Sequence, residues 1–397
     1  MLTNRQLFLL NVAQTSNSPR LLEIERAEGL YLFDVDGKAY MDLVSGFAVS
    51  NTGHRHPKIV QAIKDQVDLY MHLSVYGEFV QSPQVRLAQK LTSLLPDSLN
   101  SVYFTNSGTE ATEGAMKLAK RFTGQPEIIA CKSAYHGSSQ GALSLMGNEG
   151  YKQAYRPLLL GIRFINFNQK QDLEQITKHT AAVIVETIQG EAGIHVPDLE
   201  YMLLLRHKCS QTNTLLILDE IQSGLGRTGK LFAFEHFGIV PDILLTAKAF
   251  GGGMPLGAFI ASKEIMDVLK ENPILGHITT FGGHPVCCAA GLASLDIILK
   301  EDLMKAVPEK EKLFRKLLQH PEIKEIRGKG LMLGIQLSNF EQVESVSKRC
   351  VENGVIVDWF LHCETALRIA PPLIITSEEI RKACDVILEA ISFYSKF

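Results

Sequence analysis

The chain has no apolar segment approaching the roughly 20 residues that a helix needs to cross a bilayer, so a helical membrane protein is excluded. It does not begin with a basic stretch followed by an apolar core, so no secretory leader is expected. Neither sign of charge dominates. Forty Lys and Arg stand against 43 Asp and Glu, a formal net charge of −3, which offers no electrostatic attraction for nucleic acid or an anionic membrane. There are seven cysteines, and no two have C-x-x-C spacing. An odd, scattered set in a chain of this size reads as buried thiols in a reducing cytoplasm rather than as a disulfide framework. No internal repeat and no low-complexity stretch is present.

What is there is a globular composition, with 46% hydrophobic and 21% charged residues. At 397 residues the chain exceeds one simple core, and two domains are expected. Residues 30–43 read as a hairpin with its turn at Asp36-Gly37. From about 100 to 262, short apolar runs alternate with helical patterns: Ser101–Thr105, Ile128–Cys131, Ala182–Glu186, Leu215–Asp219, Asp242–Thr246 and Ala258–Ala261. That alternation predicts an α/β fold with a mostly parallel sheet covered on both faces. Beyond about 290, helices mix with the runs Leu331–Leu337, Gly354–Trp359 and Ala366–Ile369, the texture of a smaller α+β domain. The expected division is 50–290 for the large domain, with 1–49 joining 291–397 in the small one. A final helix carries Ile380, Ala383, Cys384, Ile387, Ala390, Ile391 and Tyr394 on one stripe.

Two residues stand out by position. Asp219 closes the run Leu215–Leu218, and Lys248 follows Asp242–Thr246 and precedes Gly251-Gly252-Gly253. Ligands of open α/β sheets bind beyond the carboxyl ends of the strands. A lysine there can form an imine with an aldehyde, and an acid can keep a ring nitrogen protonated. Those are the two needs of pyridoxal phosphate. Asn106-Ser107-Gly108-Thr109-Glu110 lies between a strand and a helix, and Ser107 with Glu110 has capping-box spacing. The turn is either an ordinary cap or an anion site built from free N–H groups and the helix dipole. Tyr135, in Tyr135-His136-Gly137, is either packing or a platform for a flat heterocycle. Glu186 ends a buried run and leads into Gln189-Gly190-Glu191-Ala192-Gly193, a candidate switch or specificity loop. Thr279-Thr280-Phe281-Gly282-Gly283 is a second hydroxyl and glycine loop. Arg368, between apolar neighbours, needs a carboxylate, either Glu191 or a substrate's. Two motifs are set aside. Gly224 to Leu231 nearly matches a nucleotide P-loop but ends in Leu231, which has no hydroxyl for a metal. His54-Arg55-His56 has no nearby Cys or acid to complete a metal site, so no metal is expected.

Together these motifs resemble the class III pyridoxal-phosphate aminotransferases over nearly the whole chain, from Gly53–Pro57 to Leu367–Pro372. The most specific stretch runs from Leu218-Asp219-Glu220-Ile221-Gln222-Ser223-Gly224 through Lys248–Gly253. The resemblance implies the fold type I transferase architecture of aspartate aminotransferase and pyridoxal 5'-phosphate as cofactor. It implies that Lys248 forms the internal aldimine and moves the proton, that Asp219 pairs with the ring nitrogen, and that Gln222 lies near the phenolic oxygen. By the same likeness Ser107, Gly108 and Thr109 hold the phosphate, Tyr135 stacks on the ring with His136 beside it, and Thr280 reaches the phosphate of a neighbouring subunit in a homodimer. Thr279 falls where some members touch substrate, and Phe47 where ornithine aminotransferases tend to place a tyrosine.

The resemblance further implies that Glu191 and Arg368 form a gate, the glutamate covering the arginine for a terminal amine and releasing it to the α-carboxylate of 2-oxoglutarate. The expected reaction moves the terminal amino group of a diamino acid or amine, ornithine or acetylornithine being the commonest, to 2-oxoglutarate by ping-pong chemistry. One departure favours an alternative. Ser138 stands where those enzymes usually carry an arginine for a substrate carboxylate, and putrescine-type enzymes also lack that arginine. An aminomutase of the same fold is the remaining reading.

Overall fold

The computed structural model describes residues 2–394, so the outermost residues of the two expected small-domain segments lie outside it. After a short helix at Asn4–Asn11 come three strands, β1 (Ile24–Glu28), β2 (Tyr31–Asp34) and β3 (Ala39–Asp42). β2 and β3 form the expected hairpin, with Leu32 opposite Tyr40. The Asp34 carboxylate closes its turn by accepting from the N–H groups of Asp36 and Lys38.

Seven strands follow: β4 (Ser101–Thr105), β5 (Glu127–Cys131), β6 (Ile162–Ile165), β7 (Thr180–Glu186), β8 (Leu215–Asp219), β9 (Ile243–Thr246) and β10 (Gly257–Ala261). They build one sheet in the order β4-β10-β9-β8-β7-β5-β6. Only β10 runs antiparallel to its neighbours, so the sheet is mostly parallel. Its central strands are buried along their whole length. Alternation sorts their side chains to two faces. Val183, Val185, Leu216, Leu218 and Leu244 join one core with helices Ser82–Thr92, Leu199–Thr212 and Pro285–Lys300. Ala182, Ile184, Ile217, Ile243 and Leu245 join another beneath helix Gly108–Thr123. Burial on both faces explains why these runs are continuously apolar rather than alternating.

The remaining strands are β11 (Glu325–Lys329), β12 (Met332–Gln336), β13 (Val355–Ile356), β14 (Asp358–Phe360) and β15 (Cys363–Ile369). β11-β12-β15-β14 make an antiparallel sheet backed by helices Val307–Leu317, Phe340–Glu352 and Ser377–Tyr394. The last helix buries Ile380, Ala383, Cys384, Ile387, Ala390 and Ile391 as its period predicts, while Tyr394 stays half-buried. β13 pairs with β3 instead, Val355 opposite Met41, so the N-terminal hairpin docks beside the C-terminal elements. The single strand expected at Gly354–Trp359 is therefore two strands in two sheets. An apolar run does not record which neighbour its amides will pair with.

β1, β6 and β11, which the periodicity does not reveal, are all edge strands. Apart from the buried Ile165 at the end of β6, their residues are half-buried or exposed, so the hydrophobic signal is weak. Six cysteines are buried and Cys363 is half-buried, with no disulfide among the described residues. No described helix is long and apolar enough to cross a membrane.

Arg227, in the near P-loop, is fully buried. Its guanidinium donates to the carbonyls of Leu331, at 3.0 Å, and Pro371, and to the side-chain oxygen of Asn51. The motif is thus a buried tie between the large sheet's loops and the antiparallel layer. His54 corrects its expectation, since an acid does lie beside it: Asp42 Oδ2 is 2.8 Å from His54 Nε2. His56 caps helix Pro57–Leu69, and no metal-ligating cluster occurs among the described residues.

Candidate active site

Adjacent parallel strands β7 and β8 end level with one another, Glu186 opposite Asp219. β9 ends at Thr246, and two residues later Lys248 turns back over the sheet. Its φ of 47° is in the left-handed region, a conformation that costs a non-glycine residue of order 1 kcal/mol. The short helix Lys248–Gly251 then closes on Gly252. A side chain at Gly252 would meet Ala290 O and Ser294 Cβ at 2.9 Å, so only glycine allows this loop to seat against helix Pro285–Lys300. Above these strand ends lies a cleft of about 570 Å³.

Asp219 and His136 meet on the cleft floor, with His136 Nδ1 2.7 Å from Asp219 Oδ2. Burial opposes a charge on His136, but the hydrogen bond and the negative charges of Asp219 and Glu186 outweigh it and raise the imidazole's pKa. The other oxygen of Asp219 accepts from Ile221 N at 3.0 Å. Glu186 takes the N–H groups of Tyr135, at 3.2 Å, and Gly190, at 2.7 Å. Burial nevertheless pushes its carboxyl up to about 7, with His136 opposing and Asp219 adding to the shift.

One wall is the start of helix Gly108–Thr123. Ser107 Oγ accepts from Glu110 N, while the Glu110 side chain reaches one residue further back than a capping box does, to Asn106 N at 2.7 Å. The N–H groups of Gly108 and Thr109 keep no partner among the described residues. Thr109 Oγ1 is 2.6 Å from Ser139 Oγ, whose hydroxyl donates to Glu113 Oε1 at 2.7 Å. Gly137, at φ 127°, allows this contact, because a Cβ there would come within 2.3 Å of Thr109 Oγ1. Tyr135 Oη lies 3.2 Å from Ser138 Oγ, on an exposed rim.

Lys248 faces the cleft and makes no hydrogen bond or ion pair among the described residues. Burial lowers its ammonium's pKa. Glu191 opposes that shift, Arg368 adds to it, and Asp219 and Glu186 oppose it more weakly. Glu191, also on the cleft wall, accepts from Arg368 Nη2 at 2.6 Å. Burial alone would raise the Glu191 carboxyl, but Arg368 and then Lys248 hold it down at about 2. The buried Arg368 guanidinium lies between two rings, 4.9 Å from Phe47 and 4.5 Å from Phe360. Gln222 Nε2 approaches Glu191 Oε1 at 3.4 Å, and Gln222 Oε1 is buried without a partner among the described residues.

The family model described as aminotransferase class III matches residues 12–391. The acetylornithine aminotransferase of Caldanaerobacter subterraneus is 40% identical over 380 residues, 92% of this chain and 94% of the relative. Ornithine aminotransferase 2 of Staphylococcus aureus is 40% identical over 392 residues, 94% of each. Among solved structures, the ornithine aminotransferase of Toxoplasma gondii superposes with a TM-score of 0.92 at 28% identity, covering 100% of this chain and 96% of that one.

The chain belongs to the class III aminotransferases.

As a class III aminotransferase it is an enzyme that takes an amino donor and a keto acid and uses pyridoxal phosphate. The cleft fits that cofactor. Two unpaired N–H groups beside hydroxyls suit a phosphate, an unpaired amine suits an aldehyde, and a buried carboxylate braced by His136 suits a ring nitrogen.

Not every expected residue reaches the cleft. Ser107, Gly108, Thr109, Tyr135 and His136 line it, as do Ser138, Glu191, Asp219, Gln222 and Lys248. Arg368 and Phe47 lie behind its wall, joined to it through Glu191. Thr279 borders a separate hollow with Tyr76 and Phe104, and Thr280 is exposed, so neither lines the cleft of its own chain. Sequence reasoning does not find Ser139, whose signals are its contacts with Thr109 and Glu113. It also does not find the apolar lining residues Val49 and Met254.

Proposed function

We propose that this enzyme transfers the terminal amino group of a diamino acid or amine of the ornithine or acetylornithine type to 2-oxoglutarate, the two substrates visiting one site in turn. The Glu191–Arg368 pair carries the reading. A buried arginine held by one displaceable carboxylate can accept a second carboxylate in its place, while a substrate without one finds the pair closed and neutral.

Pyridoxal phosphate, when bound, supplies the aldehyde that receives the amino group and a ring that draws electrons from the reacting carbon. Lys248 would supply the amine for that aldehyde and the group that holds and returns the proton, tasks suited to a lysine whose pKa burial has lowered. Asp219, braced by His136, keeps the ring nitrogen's proton in place. The unpaired N–H groups of Gly108 and Thr109 would hold the phosphate, and Tyr135 and Gln222, which also line the cleft, would flank the ring. Thr280 serves the site of a partner in a homodimer, its exposure on its own chain supporting that assignment. The division at about residues 50 and 290 and a cytoplasmic location belong to the same proposal.

Ser138 favours a second reading, in which the donor is putrescine or another amine without a distal carboxylate. The exposed hydroxyl on this rim offers no charge to pair with one. An aminomutase fits less well, because a gate for two unlike substrates serves transfer between molecules.

The test is the absorbance spectrum of the purified holoenzyme, titrated with ornithine, N-acetylornithine, putrescine, 4-aminobutyrate and lysine. Loss of the visible cofactor band with one donor, and its return with 2-oxoglutarate, is the expected result. A band that no amine bleaches would end the proposal.

A further inference from the structure

The carboxylate that covers Arg368 is itself held from behind. Leu361 N donates to Glu191 Oε2 at 3.1 Å, on the same oxygen that Arg368 Nη2 reaches at 2.6 Å. His362 N donates to the backbone oxygen of Glu191 at 3.0 Å. The carbonyl of that same peptide group, Leu361 O, accepts from Tyr151 Oη at 2.9 Å. The Leu361–His362 peptide is therefore strung between Tyr151 on one side and Glu191 on the other. The rings of Tyr151 and His362 reinforce it, meeting edge to face with centroids 5.3 Å apart.

Tyr151 does not line the cleft and is 43% exposed. For Arg368 to accept an incoming carboxylate, Glu191 must leave both Arg368 and the Leu361 amide. Tyr151 holds the carbonyl of Leu361, the residue whose own N–H grips that carboxylate, so whatever fixes Leu361 favours the closed gate.

We propose that Tyr151 is a positioning residue for substrate choice, latching the Leu361–His362 peptide so that Glu191 stays on Arg368 until a carboxylate displaces it. This rests on the gate reading above. The latch favours donors that bind with the gate closed and disfavours those that need Arg368 free. It adjusts affinity rather than chemistry, because no latch atom touches the reacting groups.

The experiment uses the holoenzyme and two donors measured in single turnovers by bleaching of the cofactor band. One is L-glutamate, whose α-carboxylate needs the open gate. The other is the best amine of ornithine, N-acetylornithine and putrescine. Tyr151→Phe keeps the ring and removes only the hydroxyl. Preference for glutamate over the amine should rise about two- to tenfold, the range of one net hydrogen bond, through half-saturation concentrations with maximal rates nearly unchanged. Glu191→Gln serves as the reference and should move the same preference further in the same direction. If Glu191→Gln shifts it and Tyr151→Phe does not, or if Tyr151→Phe slows both donors equally, the latch is overturned. If neither variant shifts it, the gate itself fails.

Discussion

Glu186 and Asp219 are register partners at the ends of adjacent strands, yet His136 hydrogen-bonds to Asp219, while Glu186 is left to backbone N–H groups. Two carboxylates so placed are not equivalent acids. Buried and beside another negative group, Glu186 binds a proton up to a pH of about 7 in the folded protein, against about 4.5 for an ordinary glutamate.

That difference sets a pH test. Between the two values the folded chain holds a proton that the unfolded chain has lost, so this group's stabilisation is complete at low pH and disappears as pH rises through about 7. Glu186→Gln removes the titration. The melting temperature of the cofactor-free wild type, relative to that of Glu186→Gln, should fall between pH 5 and pH 8, by an amount corresponding to at most about 3 kcal/mol. A difference that stays constant over that range would refute the assignment.

His136→Leu deletes the brace on Asp219 and leaves a buried carboxylate short of a partner. A hydrogen bond to a charged group contributes roughly 1.5–3 kcal/mol, so pyridoxal phosphate should bind about ten- to a hundredfold more weakly. Equilibrium titration of the apoprotein, followed at the cofactor band, measures it. Unchanged affinity would mean that Asp219 needs no support.

Lys248→Ala should lower turnover by at least about a thousandfold, the scale of a lost acid–base group, while cofactor still enters the cleft. Near-native turnover in that variant would show that another amine does the work.

Ser138→Arg places a cation on the rim beside Tyr135. The kcat/KM for N-acetylornithine or 4-aminobutyrate, relative to putrescine, should rise about tenfold or more, as expected for a charge-assisted pair. An unmoved ranking of donors would remove this position from the question of specificity.

The alternation of apolar runs and helical periods was enough to predict the parallel sheet, because strands buried on both faces must be continuously apolar. Position at strand ends was enough to single out Asp219 and Lys248. The near P-loop's missing hydroxyl was equally plain in the sequence, although its Arg227 acquires a role only once Leu331, Pro371 and Asn51 surround it. The edge strands β1, β6 and β11 were not legible, since half-exposed residues carry little period. Nor was the pairing of His136 with Asp219, 83 residues apart, or the acid beside His54. Short-range pattern records which faces a segment must bury. It does not record which distant polar atom will satisfy a buried charge, because that partner is chosen by the packing of whole elements. The likeness to known aminotransferases named Glu191 and Arg368 as a pair, and only the tertiary structure placed Tyr151 and the Leu361–His362 peptide behind them.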